Sequence, residues 1–194
     1  MSDKPYALRA VPGFHSTYPG IQIAAQTSHS ASDEDLQFFQ QLGIEWIMLG
    51  VEDPALQTVE HYRRFVERFA AYGIQIYRIS NRAVHNVPEI TLNLPGRDEK
   101  VEELCQFIRN LGAAGIRYHT YAHMGNGIWS SGRTTRRGGM SARTLDINDA
   151  QGRWADETYE GELTHGREYS EDELWDNYEY MIRRVAPVAE EAGI

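Results

Sequence analysis

The sequence predicts an α/β fold: a partial (β/α)8 TIM barrel, truncated after about four β/α units. Four helix-like runs each end in Gly followed by Ile: Leu42-Gly43-Ile44, Tyr72-Gly73-Ile74, Ala114-Gly115-Ile116 and Ala192-Gly193-Ile194. Glycine closes a helix in the left-handed conformation and a β-branched residue favours extended backbone, so each junction reads as a helix end feeding a strand. Ile44 to Gly50 (IEWIMLG) is nearly all apolar, as a parallel strand buried on both faces should be. No Gly-rich phosphate loop follows the first strand, which weighs against an open nucleotide-binding sheet and favours the barrel. The fourth junction coincides with the last residue, so the repeating architecture is expected to continue beyond Ile194.

In order, Ile21 to Ala25 is the first predicted strand and Asp33 to Leu42 the first helix. Ser32 and Asp35 form a capping box there, and Leu36, Phe38, Phe39 and Leu42 supply the apolar face. Strand two is Ile44 to Gly50. Helix two runs from about Thr58 to Ala71 with Tyr62, Phe65, Val66 and Phe69 at helical spacing, and Ile74 to Ile79 is strand three. Asp98 to Leu111 is the next helix, with Val101, Leu104, Cys105 and Ile108 facing inward, and Ile116 to Ala122 is predicted as strand four. Residues 123–169 break the rhythm with Gly, Arg, Asp and Ser and little apolar periodicity. The prediction is therefore one incomplete barrel domain over 1–194, carrying a long irregular excursion at 123–169 of the kind that is functional or disordered. Ser170 and Glu173 form a second capping box that opens a helix through Trp175, Tyr178, Met181, Ile182 and Val185, and Pro187 is expected to kink it or begin a new turn.

A composition of 41% hydrophobic and 24% charged residues suits an ordinary globular domain. A formal charge of -9 makes nucleic acid or an anionic membrane a poor main partner. Cys105 is the single cysteine, so an intrachain disulfide and a thiolate-rich metal site are both excluded; it reads as a small buried apolar residue. No stretch has the length of a membrane span, and the start MSDKPYALRAVPGF lacks the apolar core of a signal peptide, so a cytoplasmic protein is expected.

Chemistry in a β/α barrel sits at the carboxyl ends of the strands. His29 follows strand one, Glu52 and Asp53 strand two, Asn81, Arg82 and His85 strand three, and His119, Tyr121 and His123 lie along and after strand four. The last three alternate and so project to one side of a strand. Asp53-Pro54 is also an ordinary turn opener, and a histidine pair without a third ligand is weak evidence for a metal. No metal site is therefore assigned to these residues. Arg133, Arg136, Arg137 and Arg143 crowd the excursion. Guanidinium groups match carboxylate geometry, so this stretch is either a clamp for an anionic substrate or a solvated loop. Trp129 beside it is either a lid over a sugar face or a loop anchor.

The segments Asp176-Asn177-Tyr178 through Val185-Ala186-Pro187-Val188-Ala189-Glu190-Glu191-Ala192-Gly193-Ile194, and Asn110-Leu111-Gly112-Ala113-Ala114-Gly115-Ile116-Arg117 leading to Tyr121, resemble mannonate dehydratases. The resemblance covers most of the chain from about Asp35, with the excursion divergent. It implies a barrel of the xylose-isomerase-like kind, a divalent metal (Mn2+ or Fe2+) and dehydration of D-mannonate to 2-dehydro-3-deoxy-D-gluconate. It also implies that the metal ligands and the principal acid and base lie beyond Ile194, so the chain alone is expected to be inactive and its catalytic residues are not assigned. His85 and Tyr121 match family positions near the substrate, whereas Ser80 stands in place of an acidic residue and Ala122-His123 in place of another pair. The substrate-side candidates are His29, His85, His119, Tyr121, His123 and Arg136. The expected partner is a small anionic sugar acid, with a homo-oligomer as a further possibility. Two alternatives stand beside this reading: a metal-dependent sugar isomerase or epimerase on the same barrel, and a non-catalytic half barrel that binds or associates through its open edge.

Overall fold

The architecture is that of a computed structural model describing residues 23–154 and 157–194. The start of the first predicted strand at Ile21 and the amino-terminal stretch read for a signal peptide lie outside the described residues. Contacts divide the chain into two compact units. One contains Leu104–Thr120, Val185–Ile194 and the chain up to Asn81; the other contains Arg82–Glu103 and Tyr121–Arg184.

The first unit holds the β/α repeat. Strands β1 (Ala24–Ser28), β2 (Trp46–Gly50) and β3 (Gln75–Ser80) form a parallel sheet in the order β1-β2-β3. Ala24 lies opposite Trp46 and Trp46 opposite Gln75, with a register shift between Ile47 and Met48. Helix α1 (Asp33–Gln41) starts at the capping box of Ser32 and Asp35, as expected. Of its predicted apolar face only Leu36 is buried; Phe38 and Leu42 stand exposed. Helix α2 (Val59–Ala70) is capped by the Thr58 hydroxyl and buries Tyr62 and Phe69. Helix α4 (Arg97–Ala113) buries Val101, Leu104, Cys105 and Ile108, the four residues its periodicity points inward.

All four Gly-Ile junctions close in one way. Gly43, Gly73, Gly115 and Gly193 have φ of 69, 74, 84 and 70°. The amides of Ile44, Ile74, Ile116 and Ile194 donate to the carbonyls of Phe39, Phe69, Leu111 and Ala189, at 3.0, 3.1, 3.0 and 2.9 Å. This six-to-one bond is the Schellman closure, which satisfies a carbonyl the last helical turn leaves open. Strands β2 and β3 follow the first two junctions. The third does not lead to the predicted strand at Ile116 to Ala122: no regular ladder forms there among the described residues. Alternating polarity prepares a segment for a sheet, but a strand exists only where a neighbour's backbone pairs with it in register.

The second unit organises much of the excursion. Strands β4 (Ile128–Ser130), β7 (Gln151–Trp154) and β8 (Glu157–Tyr159) make an antiparallel sheet, while β5 (Gly132–Thr135) and β6 (Ser141–Thr144) form a two-stranded pair. Glycine is required where the backbones meet most closely. A Cβ on Gly152 would stand 2.1 Å from the Asn126 carbonyl oxygen, and one on Gly127 2.4 Å from that of Arg153. The short helix α3 (Pro88–Thr91) is tied to helix α5 (Glu171–Ala192) by Asn177, whose buried amide donates to the Thr91 carbonyl at 3.0 Å. Tyr180 of α5 donates to Asp98, and its ring lies between the guanidinium groups of Arg97 and Arg184, 3.4 and 3.5 Å from their Cζ atoms. Helix α5 runs through Pro187 to Ala192, so the proline begins no new element. Along α5, Met181 and Val185 are buried but Trp175 is 61% exposed, so the stripe expected to face the core turns outward at its start. No described helix is long and apolar enough to cross a membrane.

Candidate functional site

In the first unit the carboxyl ends of the parallel strands present His29 and Asn81. The His29 backbone amide donates to the Gly50 carbonyl at 3.1 Å, and its ring Nδ1 donates to the same oxygen at 3.3 Å. That bond ties the ring to the end of β2, and the Phe65 ring lies 5.6 Å from it. Arg68 of α2 holds the loop behind His29 by donating to the carbonyls of His29 (3.4 Å) and Ala31 (2.7 Å) and to Asp33 (2.8 Å). The same guanidinium holds the Asp33 carboxyl below its ordinary value. His119 packs edge-on to Phe107, 5.2 Å between ring centres. Asp53 caps the turn Pro54–Leu56 through the Ala55 amide, the structural role its Asp-Pro sequence suggests, and Glu52 is exposed.

The second unit brings His85, Tyr121 and His123 into one neighbourhood. The Ala122 amide donates to the His85 carbonyl at 2.6 Å. The buried Asn86 side chain clamps the next turn of chain: its Oδ1 accepts from the Met124 amide at 2.8 Å and its Nδ2 donates to the Met124 carbonyl at 3.1 Å. An amide matches a peptide group edge to edge, so one buried side chain aligns the segments on either side of these residues. The Tyr121 and Tyr178 hydroxyls share a hydrogen bond of 2.8 Å, and His123 meets the Tyr178 ring edge-on at 5.4 Å. His85 stacks on Trp154 at 5.6 Å.

Beside this cluster lies a cavity of about 380 Å³ lined by His123, Glu171, Leu174, Trp175 and Tyr178. Trp175 and Tyr178 meet edge-to-face, with 5.9 Å between ring centres. Burial pushes the Tyr121 phenol well above its ordinary value, and its bond to Tyr178 raises it further. It is therefore a neutral hydrogen-bonding group at physiological pH. Burial lowers the proton affinity of His123, partly offset by the backbone at Leu174, so its imidazole is the neutral form there too. An aromatic wall with a neutral imidazole, a phenol hydroxyl and one carboxylate suits a polyhydroxylated molecule: ring faces cover C–H surfaces while the polar groups bond hydroxyls.

Arg136 stands apart from this cavity, exposed at the turn of the β5–β6 hairpin, where its amide donates to the Met140 carbonyl at 2.7 Å. Trp129 is 52% exposed on β4, opposite Gly152. Sequence reasoning passed over Trp175 and Tyr178 as parts of an apolar helix face. The available signal was their position one turn past the capping box, at the start of the helix that follows the excursion. Among the described residues no three His, Cys, Asp or Glu side chains converge to hold a metal ion. The described residues do not by themselves make the metal centre that the resemblance implies.

The family described as D-mannonate dehydratase (UxuA) matches residues 32–158. The chain belongs to the mannonate dehydratase family. A mannonate dehydratase of Endomicrobium trichonymphae is 25% identical over 188 residues, covering 82% of this chain and 51% of the relative. One from Streptococcus pneumoniae (strain 70585) is 29% identical over 157 residues, covering 72% of this chain and 42% of the relative. The crystal structure of mannonate dehydratase from Streptococcus suis serotype2 superposes with a TM-score of 0.69 at 24% identity, over 90% of this chain and 52% of that one. The chain thus spans about half the length of the family members it matches, and its fold is the corresponding part of a β/α barrel.

Proposed function

We propose that the chain supplies substrate-side residues for dehydration of a sugar acid, D-mannonate, to 2-dehydro-3-deoxy-D-gluconate and water. Family membership over residues 32–158 carries the reading, because that stretch includes His85, Tyr121 and His123. In the reaction the proton on the carbon beside the carboxylate leaves, the neighbouring hydroxyl departs as water, and the resulting enol becomes the 2-keto acid. The neutral His123 imidazole accepts a substrate hydroxyl proton in a hydrogen bond, the Tyr121–Tyr178 pair donates one, and Trp175 shields the C–H face from water. His85, held by Trp154, borders the same chain segment. A divalent cation, Mn2+ or Fe2+, is proposed on the resemblance alone and no step is assigned to it. A cytoplasmic location is proposed from the single buried cysteine and the acidic composition.

The deciding experiment incubates the natural full-length protein that contains this chain with D-mannonate and Mn2+ and follows products by NMR and mass. A 2-keto acid lighter than substrate by one water supports the proposal. An isomeric product of unchanged mass overturns it in favour of an isomerase or epimerase. Binding of mannonate without turnover, lost in His123→Ala, would mark a binding half of the site rather than a complete one.

A further inference from the structure

Building on the sugar-acid reading above, we propose that Glu171 determines specificity: the cavity beside His123 receives the hydroxylated tail of the acid, and Glu171 excludes an acid with a second carboxylate at that end. At about 380 Å³ the cavity has the size of a small-molecule site. Its lining residues, His123, Glu171, Leu174, Trp175 and Tyr178, include no arginine or lysine. Burial keeps His123 neutral at physiological pH, so the Glu171 carboxylate is the one charged group among the five. A second carboxylate entering here would lose water against Leu174 and the two aromatic rings. It would also face Glu171 with no counter-charge to offset either cost.

Two neighbouring features that could welcome an anion are already engaged. The amides at the start of α5 favour negative charge, yet the Ser170 hydroxyl accepts from the Glu173 amide at 3.2 Å and the first turn carries Glu171, Asp172 and Glu173. Arg167 donates to both carboxylate oxygens of Glu173, and its guanidinium lies 3.6 Å over the Tyr169 ring. An uncharged tail meets the opposite conditions. Trp175 Nε1 donates to Glu171 Oε1 at 3.4 Å, which sets the carboxylate beside the indole. An ionised carboxylate accepts at about four sites, so this bond leaves capacity for sugar hydroxyls. Neighbouring hydroxyls of the tail donate to Glu171 while Trp175 and Tyr178, edge-to-face at 5.9 Å, cover C–H groups. The acid's own carboxylate then lies at the other end of the molecule, outside this cavity. An aldonate, which ends in a hydroxymethyl group, satisfies the arrangement; an aldarate, with carboxylates at both ends, does not.

Isothermal titration calorimetry on the natural full-length protein that contains this chain compares D-mannonate with D-mannarate, which has a carboxylate in place of the terminal hydroxymethyl group. The two ends of mannarate are equivalent, so turning round does not relieve the clash. Mannonate should bind about tenfold or more tightly. Glu171→Gln should weaken mannonate, because a charged acceptor is lost, and bring the preference to within about threefold. Glu171→Lys should reverse the preference, and circular dichroism checks each fold. Equal binding of the two acids by the wild type overturns the proposal, as does a preference that neither substitution changes. Turnover tests the underlying reading separately. A protein that shows the expected preference but forms no 2-keto acid keeps this orientation and loses the dehydration, whereas a dehydratase whose preference ignores Glu171 loses the orientation alone. Binding of neither acid overturns both.

Discussion

Asn86 positions the candidate site without lining its cavity, because both ends of its amide are spent on Met124. Asn86→Ala leaves two part-buried backbone groups of Met124 without their partner and should cost about 1–2 kcal/mol of stability in denaturant melts. An unchanged midpoint would show that water replaces the amide at no cost. The Tyr121–Tyr178 pair is separable by a double-mutant cycle. Tyr121→Phe and Tyr178→Phe should each destabilise slightly, with a coupling of about 1 kcal/mol, and additive effects would mean the hydroxyls are independent. His123 gives a pH prediction. Its folded-state affinity for a proton lies below the ordinary value of 6.5, chiefly through burial. Above that value both folded and unfolded chains carry the neutral ring and the group adds no pH dependence. As pH falls through it the unfolded chain protonates first, so stability declines until the folded ring titrates as well. An NMR titration of the ring protons with a midpoint at or above 6.5 would contradict this.

The elements differ in how they tolerate change. Gly152 and Gly127 admit the Asn126 and Arg153 backbones at distances no Cβ allows, so Gly152→Ala should destabilise the β4-β7-β8 sheet by about 2–4 kcal/mol. Chemical denaturation measures it. A cost under about 0.5 kcal/mol would mean the crossing relaxes freely. Pro187 sits exposed within α5 and has no amide to donate to the Arg183 carbonyl. Pro187→Ala restores that bond and should raise stability by about 1–3 kcal/mol. Both predictions rest on backbone geometry, which explains why local pattern read α5 well and residues 116–122 poorly. A helix closes its bonds within one segment, as the Ser32 box and the Schellman turns show. A strand borrows its partner from elsewhere in the chain.

Across the whole molecule, protection from solvent should be uneven. Amides of β2, whose Ile47 and Leu49 are fully buried, should exchange slowly by hydrogen–deuterium exchange mass spectrometry. Residues 160–169, which hold turns and no regular element, should exchange fast. Equal rates would deny that the parallel sheet forms the stable part of the fold. The division into two units also bears on the candidate site. His29 and His119 fall in one unit, while His85, Tyr121, His123 and Arg136 fall in the other, although the sequence sets His119, Tyr121 and His123 at alternate positions of one run.

The sequence by itself determined the β/α class, the helix ends and the family resemblance. Each of these rests on local chemistry: a glycine that tolerates positive φ, a serine that caps, an apolar period that repeats. Only the tertiary structure decided that Trp175 faces outward beside His123, that Tyr178 meets Tyr121 and that β4 to β8 form small antiparallel sheets. Those outcomes depend on which distant backbone and side-chain groups meet, and spacing along a chain does not encode that at short range.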